Sequence, residues 1–103
     1  MSARKMHLPA RPANEGAWRL AWWIGQQRDI DWAMARIDGA GGAGMCDRLL
    51  TGEVVPGAEL AFHVSLLTDA AVVTRDWRDA PAGGWGDAPI VRLHVAARRK
   101  RAA

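Results

Sequence analysis

The chain of 103 residues contains no tyrosine, one phenylalanine and one cysteine. A single thiol, Cys46, excludes an internal disulfide framework, and a reducing cytoplasm is the expected compartment. His7, His63 and His94 are scattered without the spacing of a zinc site, so neither a metal nor a cofactor is expected. No apolar run is long enough to cross a bilayer: the longest, LAWWIG at residues 20–25, is followed at once by QQRDID. The opening MSARKMHLPARPANEG is basic but lacks the apolar stretch and cleavage site of a secretory signal. Also missing are a G-x-S-x-G elbow and any nucleophile whose spacing to a base defines a catalytic pair, so no enzyme is expected. Cys46 sits in an apolar stripe, which suits a buried, inert thiol.

What is present suits one small domain with one modest core: half of the residues are hydrophobic, and the formal net charge is +3. The charge is unevenly placed. Seven of the fourteen basic residues stand at the ends (Arg4, Lys5 and Arg11; Arg98, Arg99, Lys100 and Arg101), whereas residues 12–97 hold seven bases against all eleven acids, a net charge of −4. Basic ends on an acidic body suit contact with nucleic-acid phosphates, and they suit plain solvation equally well.

Helical periodicity organises the middle of the chain. Glu15 and Gly16 open a first helix in which Leu20, Trp23, Ile24 and Gln27 share a face, with Trp18 and Trp22 one turn apart beside it. A second stripe, Ile30, Ala33, Met34 and Ile37, has Asp29 or Asp31 as N-cap and Gly39 placed to stop it. Met45, Cys46, Leu49 and Leu50 form a third, short stripe ending at Thr51 and Gly52. Pro56 starts a fourth segment in which Leu60, Val64 and Leu67 recur with Ala61 alongside. AAVVTRDW reads as a strand or, preferably, a last short helix capped by Thr74 and seating Trp77. A loop rich in proline and glycine then carries Trp85. In IVRLHVA, Val91, Leu93 and Val95 alternate with Arg92 and His94, the pattern of a strand that needs a partner: either Glu53 to Val55 or a second copy of the chain.

Residues 39–44 match G-x-G-x-x-G, and Glu59 follows Gly39 by twenty residues, as a dinucleotide fingerprint requires. That fingerprint also needs a strand feeding the first glycine. Here the feeding segment IDWAMARID has helical period, so the glycines are better read as a tight reversal between two helices.

The order of elements resembles the helix-turn-helix domains of the phage lambda repressor and Cro class: two helices joined by a glycine-containing turn, then LLTGEVVP, an amphipathic helix and TRDW. The resemblance covers residues 17–78. It implies a mostly α fold of four to five short helices with the third apolar stripe as the recognition helix, to which the alternation of IVRLHVA adds a C-terminal β-strand extension. Carried over by position, Ala43, Gly44 and Asp47 point to the groove, Arg48 reaches base or phosphate, and Thr51 touches backbone. Two departures stand out. The family starts this helix with polar residues, where this chain has Gly42, Ala43 and Gly44, and the turn is longer and richer in glycine.

Six tryptophans in so short a chain fill a small core efficiently, and about three of Trp18, Trp22, Trp23, Trp32 and Trp77 are expected there. Trp22 and Trp23 are neighbours pointing about 100° apart, so one faces a domain edge or a subunit contact. The expected organisation is a flexible basic arm (1–14), a helix-turn-helix domain (15–79), a glycine- and proline-rich loop (80–89), and a strand with a basic tail (90–103). The function this implies is a small transcriptional regulator of phage or plasmid type. It would bind double-stranded DNA as a homodimer, through Ala43, Gly44, Asp47, Arg48, Thr51, Arg98, Arg99, Lys100 and Arg101. Trp22, Val91, Leu93 and Val95 would form the dimer or partner contact. The alternative is a small inhibitor or adaptor that holds a protein partner with exposed tryptophans, without a membrane in either case.

Overall fold

The computed structural model describes residues 6–90. It is mostly helical, with four α-helices, a closing 3₁₀ turn and no strand among the described residues. The expected strand, with Val91, Leu93 and Val95, lies outside them, as do Arg98, Arg99, Lys100 and Arg101. Glu53 to Val55 forms no strand.

α1 spans Glu15–Gly25. Its start is set by Asn14, whose side-chain oxygen accepts a hydrogen bond from the Ala17 N–H at 2.7 Å. Ala17, Leu20, Ala21 and Ile24 form the buried stripe, and Trp23 packs against it half-buried. The Gln27 amide closes the far end by donating to the Trp23 carbonyl at 2.9 Å.

α2 spans Ile30–Gly41. Of the two candidate caps, Asp29 is the one used: its carboxylate accepts from the Trp32 N–H at 3.0 Å. The helix does not stop at Gly39. A helical glycine costs only about 1 kcal/mol relative to alanine, and it ends a helix only where the chain turns left-handed or otherwise leaves α space. That happens later, at Gly42 (φ +107°) and Gly44 (φ +79°). These two positions are where the run of glycines is needed.

α3 spans Met45–Thr51, and Gly52 ends it in the left-handed region at φ +82°. α4 spans Ala58–Leu67. Beyond it the chain reverses through Asp69 and Ala70, both at positive φ, with the Ala70 N–H donating to the Ser65 carbonyl at 2.8 Å. The buried Thr68 hydroxyl secures this corner, donating to the Val64 carbonyl at 2.8 Å and accepting from the Val72 N–H at 3.3 Å. The last element, the 3₁₀ turn Thr74–Arg78, is capped differently from the expectation. Its capping group is the buried carboxylate of Asp76, which accepts from the Val73 N–H at 2.8 Å, and Thr74 is exposed. The acceptor reaches back from within the turn, as in the returning half of a capping box.

Leu20, Ile24, Met34, Ile37, Leu49, Leu50, Val64 and Val72 fill a single core contributed by every element, with Trp77 sealing the side next to α1. Trp18 and Trp77 are buried, Trp22, Trp23 and Trp85 are half-buried, and Trp32 is 50% exposed. Trp32 is stacked under the Arg36 guanidinium, 5.1 Å from its ring centre.

Segments expected to be loose lie along α1. The Glu15 carboxylate accepts from the Ala82 N–H at 2.9 Å and pairs with Arg19 at 2.6 Å. The Trp18 indole donates to the Asp87 carbonyl at 3.0 Å, and the Trp85 indole donates to the Pro9 carbonyl at 2.7 Å. Loop 80–89 is thereby strapped to α1, and the described part of the arm is tied to the strap.

A Cβ at Gly16 would overlap the Trp77 indole, whereas one at Gly39 would meet no atom. Gly16→Ala is therefore expected to destabilise the fold by roughly 2 kcal/mol, lowering the melting temperature by on the order of 10 °C. Gly39→Ala is expected to stabilise it by about 0.5–1 kcal/mol. Thermal unfolding followed by circular dichroism reads both; equal effects of the two substitutions would contradict this packing.

Candidate functional site

The unit formed by α2, the turn and α3 gathers the residues singled out for recognition. α2 ends with the Gly42 N–H donating to the Asp38 carbonyl at 2.6 Å, and the Met45 N–H then donates to the Gly42 carbonyl at 3.0 Å. The N-cap of α3 is Gly44, which has no side chain to satisfy the first amides. Asp38, on the preceding helix, supplies the missing acceptor: its carboxylate takes the Cys46 N–H at 2.8 Å. One side chain thus fixes where α3 begins and how it is set against α2. It also places a negative charge at the end of α3 that would otherwise attract an anion.

α3 is a separate rod with two distinct sides. Cys46, Leu49 and Leu50 have no exposed surface and anchor it to the core. Arg48, Thr51 and Ala43 are exposed, while Gly44 and Asp47 are half-buried. Asp47 keeps one carboxylate oxygen, Oδ1, inside the protein, so it presents less charge outward than its position in the helix suggests. The Thr51 hydroxyl donates to the Arg48 carbonyl at 3.2 Å and accepts from the Glu53 N–H at 3.3 Å, closing the carboxyl end of α3. Arg48 is accordingly the one cation that α3 offers outward, with a planar fork of donors suited to a guanine edge or a phosphate.

Trp22, the remaining candidate among the described residues, is not brought to this site. Trp22 stands on α1, where it lines a shallow, mainly apolar cleft of about 190 Å³ with Met6, Leu8, Gln26 and Trp85. Its indole N–H is buried without a partner. Residues 6–90 carry seven arginines against eleven acids, a net charge of −4, so their summed charge does not attract a polyanion. Among the described residues no three His, Cys, Asp or Glu side chains gather as a metal ion requires, and no helix is long and apolar enough to cross a membrane.

Two features of the structure lie beyond what the sequence pattern placed. Asp38 caps a helix eight positions away, beyond the reach of any local capping rule. Phe62 and Leu66 are 54% and 63% exposed on α4; the signal was there, since a helix apolar on more than one side has more surface than one core absorbs. No family model, characterised protein or solved structure matches the chain.

Asp38→Ala is expected to cost about 1 kcal/mol and to speed exchange of the Cys46 amide, whereas Asp38→Asn, which keeps an acceptor in place, should retain most of that protection. Amide exchange followed by NMR checks both, and equal protection in the alanine variant would remove the capping role.

Proposed function

We propose that the protein is a small helix-turn-helix module of the phage lambda repressor and Cro kind, a phage- or plasmid-type transcriptional regulator that binds duplex DNA as a homodimer. The observation supporting this reading is the presentation of α3. It is a short helix, set off from α2 by a tight turn, held from behind by Cys46, Leu49 and Leu50, and carrying Arg48 on its exposed side. Small residues at Ala43 and Gly44 allow the backbone to approach a duplex closely. Base recognition then rests on Arg48. The cations at Arg4, Lys5, Arg98, Arg99, Lys100 and Arg101 supply phosphate contacts that the acidic body lacks. With so few donors on α3, two half-sites read by two copies are needed for useful affinity.

A second reading, an inhibitor or adaptor that binds a protein partner, is favoured by one specific observation. Val55, Phe62, Leu66 and Trp32 are each at least half exposed on a body of negative charge.

Fluorescence anisotropy with a labelled duplex of mixed sequence separates the two. DNA binding through several phosphates predicts an affinity that falls steeply, by at least about tenfold, between 50 and 200 mM salt. Arg48→Ala should lower affinity for a selected site by about 1–3 kcal/mol while changing binding to random duplex much less. Salt-independent or absent binding would transfer the case to the protein-partner reading.

A further inference from the structure

The shallow apolar cleft beside α1 is lined by Ala21, Trp22 and Gly25 from the helix, by Met6 and Leu8 from the arm, and by Trp85 from loop 80–89. The chain arrives next to it. Loop 80–89 follows α1 from its first turn: the Ala82 N–H is held by Glu15, the Asp87 carbonyl by the Trp18 indole, and the Ile90 carbonyl by the Arg19 guanidinium at 3.0 Å. The bonded positions therefore advance in the direction of α1. Arg19, Trp22 and Gln26, the last also lining the cleft, are spaced i, i+3 and i+7 and share one side of the helix. The chain thus leaves the described residues one turn ahead of the cleft.

We propose that residues 91–95 continue this course in extended form and lay Val91 and Leu93 into the cleft of their own chain, against Trp22 and Trp85. The reach is sufficient. Arg19 to Gln26 is about 10 Å along the helix, at about 1.5 Å per residue, and an extended chain covers that in about three residues. The residue pattern fits as well: in VRLHV the apolar side chains alternate, so an extended backbone that turns Val91 and Leu93 inward keeps Arg92 and His94 on the outer side, and no cation is buried. The other segment that reaches the cleft, residues 1–5 ahead of Met6, reads MSARK, and its two cations suit an apolar surface poorly. A segment tethered at Ile90 also has an effective concentration on the order of mM at the cleft, which favours it over a free partner of the same composition. Trp22, Val91 and Leu93 thereby meet within one chain, and the alternating segment gains a cover without a neighbouring strand. The contact is independent of DNA binding.

Nuclear Overhauser spectroscopy of the full chain tests this, with the Leu93 methyl groups and the Trp22 and Trp85 indoles as probes. Contacts between Leu93 and Trp22 should appear in labelled chain, persist on dilution, and be absent between labelled and unlabelled copies in a mixed sample. Leu93→Asp should abolish them and shift both indole signals, while Leu93→Met retains them; residue 93 lies outside the described helices, so the helical circular dichroism should not change. A Cβ at Gly25 meets no atom within 4 Å, so Gly25→Leu places a side chain in the cleft and should displace the segment, with loss of the same contacts. Contacts that cross between labelled and unlabelled copies overturn the proposal and seat the segment on a second copy. Contacts from residues 1–5 to Trp22 in place of those from Leu93 overturn it in favour of the arm. Indole signals indifferent to Leu93→Asp, or no contact from residues 91–95 to either indole, overturn it outright.

Discussion

Everything else in the molecule leans on the close approach of the Trp77 indole to the backbone of α1 at Gly16. No side chain stands between them, so the ring lies flat against the first turn of the helix and seals one side of the core. That contact fixes the 3₁₀ turn relative to α1, and α4 is carried with it through the Thr68 corner. On the same helix, Glu15, Trp18 and Arg19 bind the backbone of residues 82, 87 and 90. α1 is therefore an axis that is covered on most of its circumference, and a chain this short has little other apolar surface with which to build a core.

α3 illustrates what such a frame makes possible. A seven-residue helix has no stability of its own in water, since the cost of nucleating it is spread over too few hydrogen bonds. Three things hold it: complete burial of Cys46, Leu49 and Leu50, the carboxylate that Asp38 lends to its first amides, and the left-handed Gly52 at its end. All three act from the inner side or from the ends. On the outer side Arg48 is left exposed.

The electrostatics divide along the same line. The described body is acidic, and the amide end of α3 is neutralised within the chain by Asp38, so α3 is not by itself a magnet for phosphate. In the reading proposed here, Arg48 discriminates, the cationic residues at the two ends attract, and the pairing of two copies multiplies two weak contacts. Each role falls to a different part of the sequence, and each has a different dependence on salt and on protein concentration.

Much of this was legible in the residues. The stripes at Leu20 and Ile24, at Ile30 to Ile37, at Met45 to Leu50 and at Leu60 to Leu67 placed four helices, because burial repeats with the helical period wherever one side meets a core. Local chemistry also narrowed the cap of α2 to Asp29 or Asp31, since a capping preference depends only on near neighbours, and the structure chose Asp29. The helix end at Gly41, the cap that Asp38 provides, the Asp76 bond at the last turn and the strapping of residues 80–89 onto α1 were decided by the tertiary structure alone. The physical reason is range. Periodicity and capping preferences act over one or two turns, whereas a carboxylate reaching eight residues ahead, or an indole N–H bonded to a carbonyl 76 residues away, acquires a partner only after the core has brought the two together.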